Sequence, residues 1–223
     1  MKNQLLAQSL PTRLPGVEFL PSLSLSPGRL HEFCGFSRRF LAVILARAME
    51  GPVFWISPAR QVERLHGDGM AGLVKPGRFT FVAPHRAIDL LWAMEETLRA
   101  GIVPLVICEL PGIPGLTPVR RLHLAAEQGR ERTGRAPQGV VLLAGEGGAP
   151  GVESRWHMAP RAGRHVSWRL SCRRARMQPP GEWVVSRSAD GGFRLDRGSR
   201  GSFPDPSGAA QSAAALSAMK PAN

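Results

Sequence analysis

Short apolar runs alternate with helical repeats between residues 28 and 143 of the chain. The run at residues 30–34 predicts a short strand, and apolar side chains within residues 40–48 recur at the spacing of one helix face. A glycine and a proline at residues 51–52 end that helix, and the apolar residues 53–56 have the length of a buried strand. A strand, a helix and a second parallel strand form the βαβ unit that is common in phosphate-binding folds.

The apolar pattern continues through three more buried strands and two more helices. We predict strands at residues 79–82, 103–108 and 139–143, and helices at residues 86–100 and 117–128. The first of these helices is predicted to have an apolar face of Ile88, Leu91, Trp92 and Leu98. After residue 165 apolar and polar residues alternate, which is typical of half-buried antiparallel strands. The pattern therefore predicts an α/β fold with a mostly parallel sheet flanked by helices and antiparallel strands at the C-terminal end.

The two ends of the chain lack this pattern. Residues 1–27 contain four prolines, which predict a flexible leader, and the domain is expected to cover residues 28–196. Residues 197–223 are rich in serine, glycine, alanine and proline, and we expect them to be disordered. No N-terminal segment has the pattern of a signal peptide and no window approaches a membrane span, so we expect a cytoplasmic protein without a membrane partner.

The charge of the chain indicates a class of partner. Its 223 residues carry a formal net charge of +12, and 26 of the 29 basic residues are arginine. Such an excess favours a polyanion or an acidic protein surface as partner, but a general arginine bias with solvated side chains would have the same composition. Three widely spaced cysteines in apolar runs indicate buried thiols in a reducing compartment, with neither a zinc site nor a disulfide framework.

The turn after the first strand of the domain is where a nucleotide-binding protein would carry G-x-x-x-x-G-K-[ST]. This chain has GFSRRF there, without the second glycine, the lysine or the hydroxyl that would hold magnesium. The candidates for contact with an anion or a partner are Gly35, Ser37, Arg38 and Arg39, with Glu109 at the carboxyl end of a central strand. Two arginines at a helix N-terminus are unfavourable unless they face an anion, and the alternative is that both point into water. We predict no catalytic residue, no cofactor and no metal site.

A second group of candidates is strongly basic. Residues 154–181 contain seven arginines and no acidic residue, with Trp156 and Trp168 between them. Arginines beside aromatic rings suit single-stranded nucleic acid, through phosphate pairing and base stacking. The alternatives are that Trp168, Leu170 and Cys172 belong to the core and that the arginines contact a protein. The predicted partner or nucleic-acid surface comprises Arg120, Arg121, Arg155, Trp156, Arg169, Arg173, Arg174 and Arg176.

Several stretches between residues 28 and 196 resemble the RecA-like ATPase core and, more closely, the ImuA family of degenerate RecA relatives. These stretches are GRLHEFCG followed by two arginines, GPVFWISP, DLLWAMEETLRAG, GLTPVRRLHLAAE and ESRWHMAP. The resemblance implies a RecA-like fold in which VPLVICEL places Glu109 where the ATPases have a magnesium-binding aspartate. Because Ser57-Pro58-Ala59 stands where they have a catalytic glutamate, we expect no nucleotide hydrolysis and no enzyme activity.

The resemblance also implies a role and a set of partners. The role is that of an adaptor in SOS-induced, error-prone translesion DNA synthesis, in the cytoplasm and at the nucleoid during DNA damage. The implied partners are an ImuB-like polymerase-related protein, an error-prone replicative-type DNA polymerase and RecA, with single-stranded DNA as a further candidate. Three other functions stay open: a single-stranded nucleic-acid-binding module, a cell-division inhibitor of the SulA type, and a protein with residual nucleotide binding.

Overall fold

The computed structural model describes residues 16–61, 63–176 and 179–198 of the chain. After an N-terminal hairpin, strands and helices alternate between residues 30 and 143, and the described residues after it contain strands only. The strands are β1 (Val17–Leu20), β2 (Leu23–Leu25), β3 (Leu30–Cys34), β4 (Val53–Ile56), β5 (Phe79–Val82), β6 (Leu105–Glu109), β7 (Gln138–Leu143), β8 (Ser154–Arg161), β9 (Ser167–Ala175), β10 (Gly181–Arg187) and β11 (Phe193–Arg197). The helices are α1 (Arg38–Ala48), α2 (Gly67–Ala71), α3 (Ala87–Ala100) and α4 (Leu116–Thr133), and a 3-10 turn covers Pro76–Arg78.

Nine strands form one sheet in the order β11-β10-β9-β8-β3-β7-β6-β4-β5. The six strands from β8 to β5 in this order are parallel, and β9, β10 and β11 extend the sheet in antiparallel fashion. The prediction of an α/β fold with a mostly parallel sheet, flanking helices and antiparallel C-terminal strands is confirmed. Strands β3 and β4 of the predicted βαβ unit are separated by β7 and β6. Strand β8, which the apolar pattern does not predict, joins the parallel and antiparallel parts of the sheet.

Helices cover the parallel strands on both faces of the sheet. Helix α1 and the hairpin β1–β2 pack on one face, where Trp55 and Trp156 are completely buried. Helices α3 and α4 pack on the other face, where Leu98 and Leu122 join Val106 in a second core. Among the described residues, this second core includes no side chain from β8 to β11, so helices α3 and α4 leave that part of the second face uncovered. None of the helices in the described segments is long and apolar enough to cross a membrane.

Helix α3 turns a different face to the sheet from the one predicted. Leu90, Met94 and Leu98 are buried in the second core, whereas the side chains of Ile88 and Trp92 are 72% and 60% exposed. Apolar residues occupy more than one side of this helix, so its periodicity alone allows both orientations. The prediction that Ile88 and Trp92 belong to the face packed on the sheet is wrong.

The predicted leader contains an ordered hairpin. Strands β1 and β2 pair with each other, and Phe19 packs edge-to-face on Trp156 with ring centroids 5.2 Å apart. The domain therefore includes residues 17–25, and the prediction of a flexible segment up to residue 27 is wrong for this hairpin. The turn has a positive φ of 64° at Ser22, where glycine is the usual residue, so the sequence carries no glycine to mark it. Residues 1–15 of the predicted leader and residues 199–223 of the predicted tail lie outside the described residues.

The three cysteines lie in strands, as their apolar surroundings predict. Cys34, Cys108 and Cys172 are buried in β3, β6 and β9. Burial raises the pKa of the Cys34 thiol to about 12, so the reactive thiolate is scarce at neutral pH. A packing role is sufficient to explain these side chains.

His31 is a buried, uncharged histidine of β3. Its Nε2 donates to the carbonyl of Ser26 at 3.0 Å, because a carbonyl oxygen can only accept a hydrogen bond. Its Nδ1 therefore accepts from the hydroxyl of Ser154 at 2.6 Å, and that oxygen accepts the indole N–H of Trp156 at 2.9 Å. Burial lowers the pKa of His31 from 6.5 to about 4.

We expect acid to destabilise the protein through His31. Because the pKa is lower in the folded state than in the unfolded state, the contribution of neutral His31 is complete above pH 6.5 and is lost as the pH falls toward about 4. Between about pH 7 and pH 4.5, the free energy of unfolding should fall by about 2 kcal/mol from this group alone. Urea unfolding at both pH values measures the loss, with His31→Gln as a reference that cannot titrate. Equal losses in the two proteins would assign the acid sensitivity to other groups.

Candidate functional site

The turn between β3 and α1 is closed by hydrogen bonds within the protein. The amide of Gly35 donates to the carbonyl of Gly145 at 2.8 Å, and the amide of Ser37 donates to the carbonyl of Met158 at 2.9 Å. Gly35 has a φ of 88°, and a Cβ atom at this residue would collide with the Met158 carbonyl. Both amides are satisfied, so the prediction that Gly35 and Ser37 contact an outside anion does not fit this turn.

The two arginines that begin α1 are directed to the protein itself. Arg39 donates from Nε to Glu109 at 2.7 Å and from Nη1 to Glu63 at 2.6 Å. Burial opposes the charge of Arg39, but these hydrogen bonds outweigh it and raise the pKa of Arg39 above its usual value. Arg38 donates to the carbonyl of Gly35 at 3.2 Å. The prediction that Arg39 faces an outside anion or water is wrong, because its charge is matched by two carboxylates of the same chain.

Glu109 lies at the carboxyl end of β6, as predicted, and both of its oxygens are hydrogen-bonded. Its Oε1 accepts the indole N–H of Trp55 at 2.8 Å, and its Oε2 accepts from Arg39 and from the side-chain amide of Gln61 at 2.9 Å. The carboxylate is buried, so these three donors replace its water shell. No group of three or more histidine, cysteine or carboxylate side chains in the described residues could hold a metal ion.

The arginines of α4 belong to a different surface from Glu109. Arg121 pairs with Glu95 of α3 at 2.8 Å, and Glu95 is also paired with Arg99. The side chain of Arg120 is exposed. Arg121 therefore ties α4 to α3, and among the described contacts neither arginine touches Glu109.

Two residues of the predicted basic surface are structural. Arg155 donates from Nε to Glu32 at 2.8 Å, and the Glu32 side chain is completely buried. Trp156 is also completely buried, in the core beneath α1. The prediction that Arg155 and Trp156 form a partner or nucleic-acid surface is wrong. Trp168 stacks on Phe40 with ring centroids 4.4 Å apart, which confirms the alternative that it packs against the core.

Four further arginines of the predicted basic surface lie on β9 or directly after it. Arg173 pairs with Glu146, and Arg176 lies 3.8 Å from Glu153. Arg174 is exposed and lies opposite Arg155 in the register of β8 and β9. Arg169 is half-buried on the same strand. These four residues keep much of their predicted surface character, but they do not form one continuous band.

The structure brings together a cluster that the sequence analysis did not identify, consisting of Glu146, His157, Arg169 and Arg173. Nε2 of His157 is 3.5 Å from Glu146, and Glu146 also pairs with Arg173. Arg169 is close enough for its charge to lower the pKa of both Glu146 and His157. The only sequence signal is a single carboxylate within the glycine-rich run of residues 145–151, next to a basic segment. We call these four residues the Glu146 cluster.

Charge and burial set the protonation of the Glu146 cluster. A hydrogen bond from Arg173 holds the pKa of Glu146 below its usual value, so the carboxylate is ionised at neutral pH. Burial and the charge of Arg173 lower the pKa of His157, so its ring is neutral under the same conditions. Arg173 is therefore paired with an ionised Glu146 beside a neutral imidazole.

An apolar groove lies at the other end of the sheet, beside β5. This strand pairs only with β4 among the described residues, so its second edge is open. A groove of about 590 Å³ is lined by Val82, Pro84, Arg86, Ile88, Asp89, Trp92 and Ala93. Phe81, Ile88 and Trp92 are exposed, and an ion pair between Arg86 and Asp89 lies at the rim. Exposed apolar side chains beside an open strand edge are typical of a protein-docking surface.

Comparison of the chain with models of known protein families and with curated proteins found no match. The functional conclusion therefore depends on the residues and contacts described above.

Proposed function

We propose that this protein is a non-catalytic, RecA-like adaptor of the ImuA type. Its role would be in SOS-induced, error-prone translesion DNA synthesis, where it docks on an ImuB-like polymerase-related protein, on RecA or on both. An error-prone replicative-type DNA polymerase would act in the same assembly, in the cytoplasm and at the nucleoid during DNA damage. The parallel strands that contain GRLHEFCG and VPLVICEL, followed by the antiparallel extension, support the RecA-like part of the proposal.

The closed turn after β3 is the observation that carries the non-catalytic part of the proposal. A nucleotide-binding loop presents free main-chain amides to phosphate, whereas the amides of Gly35 and Ser37 are hydrogen-bonded to carbonyls. A hydrolytic site also needs a carboxylate that is free to hold magnesium, but Glu109 accepts hydrogen bonds from Arg39, Trp55 and Gln61. These contacts support a non-catalytic role for the turn and for Glu109.

The groove beside β5 supports the docking part of the proposal. An extended segment of a partner could pair with the open edge of β5 and place an apolar side chain between Ile88 and Trp92. Such pairing combines main-chain hydrogen bonds with burial of apolar surface that is now exposed to water. In this adaptor, RecA and the ImuB-like protein are the candidates for that partner.

A pull-down of the purified protein with RecA and with the ImuB-like protein, with and without ATP, tests the proposal. We expect capture that does not depend on ATP and that Ile88→Asp weakens about tenfold or more, because a charge would enter the apolar groove. Ile102→Asp is the matched control, since Ile88 and Ile102 are both 72% exposed and Ile102 follows the far end of α3. Failure to capture either partner, or equal weakening by the two variants, would contradict docking at this groove.

A second measurement tests the closed nucleotide site directly. Anything that binds only the folded state raises the midpoint of thermal unfolding, in proportion to the logarithm of its concentration over Kd. We expect magnesium-ATP at millimolar concentration to leave the midpoint unchanged. A concentration-dependent rise would contradict the non-catalytic proposal, because the turn at Gly35 would then open to receive phosphate.

A further inference from the structure

Strand β11 ends the sheet on the side opposite to β5, and in the described part of the chain its outer edge is open. The amide of Gly198 donates to the carbonyl of Glu182 on β10 at 2.9 Å. Hydrogen-bonded residues alternate with non-hydrogen-bonded residues along an antiparallel pair, so the even-numbered residues of β11 direct their main chain toward β10. The N–H and C=O groups of Phe193, Leu195 and Arg197 therefore point outward, where a further strand could pair with them.

The side chains of β11 are divided between an apolar face and a charged face. Phe193 and Leu195 pack against the core beneath α1, where Phe193 lies edge-on to Phe40 with ring centroids 6.0 Å apart. Arg194 and Asp196 lie on the opposite face, where they form an ion pair at 3.2 Å and their side chains are 72% and 53% exposed. A strand that pairs with this edge would have to match one positive and one negative side chain.

The sequence of β11, FRLDR, is complementary to itself when two copies run antiparallel. With Leu195 opposite Leu195 of a second copy, Arg194 faces Asp196 of that copy, and the symmetric pair forms on the other side of Leu195. The Cβ atoms of opposite residues are about 4.5–5.5 Å apart, which is within reach of an arginine–carboxylate pair. Phe193 then faces Arg197, so no two like charges of the paired strands are opposite each other.

A shift of the pairing would mismatch these charges. Moving the two-fold axis from Leu195 to Arg194 would place the two guanidinium groups opposite each other, and moving it to Asp196 would do the same with the two carboxylates. Like charges directly opposite each other destabilise a strand pair. The outward main-chain groups fit all three registers, so the charged side chains select the register centred on Leu195.

We infer that the protein forms a two-fold symmetric dimer through antiparallel pairing of β11 with β11 of a second copy. The dimer continues the nine-stranded sheet across the axis and gives hydrogen-bond partners to the outward main-chain groups of β11. The groove beside β5 lies at the other end of the sheet, so each copy keeps its own groove. This inference goes beyond the proposed function, because it makes the adaptor bivalent.

Sedimentation velocity of the full-length protein over a concentration series tests the dimer. We expect a monomer–dimer equilibrium that Asp196→Arg weakens more than about tenfold, because two pairs of arginines would then face each other. Arg194→Asp should weaken it similarly, by facing carboxylates with carboxylates. A mixture of the two variants should associate again, since every charge then faces its opposite in the other copy. Glu131→Arg is the matched control, because it makes the same charge change on an exposed residue of α4.

Arg197→Pro tests the main-chain pairing without a change in the core. The side chain of Arg197 is exposed and its N–H group points outward, so proline removes a donor from the open edge and none from the ladder with β10. We expect this variant to weaken the dimer about tenfold or more, and Arg197→Ala, which keeps the N–H group, to weaken it less than about threefold. Thermal unfolding verifies that each variant is folded.

Three results would overturn the dimer through β11. The first is a monomeric mass throughout the concentration series, and the second is a mixture of Asp196→Arg with Arg194→Asp that stays monomeric. The third is a dimer that Ile88→Asp weakens and Asp196→Arg does not, which would place the contact at the groove beside β5. Capture of RecA and of the ImuB-like protein by Asp196→Arg is measured separately, so the dimer and the adaptor function can fail independently.

Discussion

Arg155→Ala is expected to lower the free energy of unfolding by about 3–5 kcal/mol, because it leaves a completely buried carboxylate without its cation. Glu32 would keep its hydrogen bonds from the amides of Gly148 and Ala149, but its charge would have no counter-ion inside the sheet. The carbonyl of Ala149 would also lose its hydrogen bond from Arg155, at 2.9 Å. For a domain whose total stability is about 5–15 kcal/mol, this is a large share.

Chemical denaturation of the purified variants measures this effect. Arg174→Ala is the control, since Arg174 is exposed and lies directly opposite Arg155 on β9, and it should change stability by no more than about 0.5 kcal/mol. The double variant Glu32→Gln with Arg155→Met should recover part of the loss, because it removes both charges, while the Gln side chain keeps an acceptor for only one of the two amides. Similar stability of Arg155→Ala and Arg174→Ala would mean that the buried ion pair contributes little.

Glu109→Gln is expected to lower the free energy of unfolding by about 3 kcal/mol, because three donors converge on a carboxylate that the amide cannot replace. The new NH₂ group would face the N–H groups of Arg39 or Trp55, and the guanidinium would lose its inner counter-ion. Only Glu63, which is largely exposed, would remain to pair with Arg39.

The same denaturation experiment distinguishes structural and catalytic roles of Glu109. Glu63→Gln removes the exposed carboxylate from the same arginine, and we expect a loss of less than about 1 kcal/mol. A structural role predicts that Arg39→Met combined with Glu109→Leu is more stable than Glu109→Gln alone. If Glu109→Gln is as stable as the wild type yet abolishes a measured activity, Glu109 has a role in binding or catalysis that its hydrogen bonds do not account for.

The local elements of the fold were predictable because their signals are local. Strands β3, β4 and β5 have the predicted bounds, and the helix expected at residues 86–100 is α3. The apolar periodicity of an element and the glycine or proline that ends it span only a few residues of sequence. They can therefore be recognised without knowledge of the rest of the chain. The hairpin β1–β2 was not predicted, since its strands are short and a serine adopts the conformation that glycine usually has in such a turn.

The candidate site was predictable only in part, because burial of a charge depends on residues far away in the sequence. Glu109 lies where a parallel strand must end, and this much follows from the apolar run before it. Whether an arginine faces solvent does not follow from its own segment. Arg155 meets Glu32 across 123 positions and Arg39 meets Glu109 across 70, whereas Arg174 remains exposed in the same basic segment as Arg155.

The sequence by itself determined the α/β class, the positions of most strands and helices, and the absence of the lysine and hydroxyl that a nucleotide-binding loop needs. Only the tertiary structure decided the order of the strands, the face on which each arginine lies and the contacts that close the turn at Gly35. The physical reason is the separation along the sequence of the residues that interact. Backbone preferences and apolar periodicity are set by neighbouring residues, whereas the desolvation and pairing of charges are set by the strands and loops that folding brings to the same place.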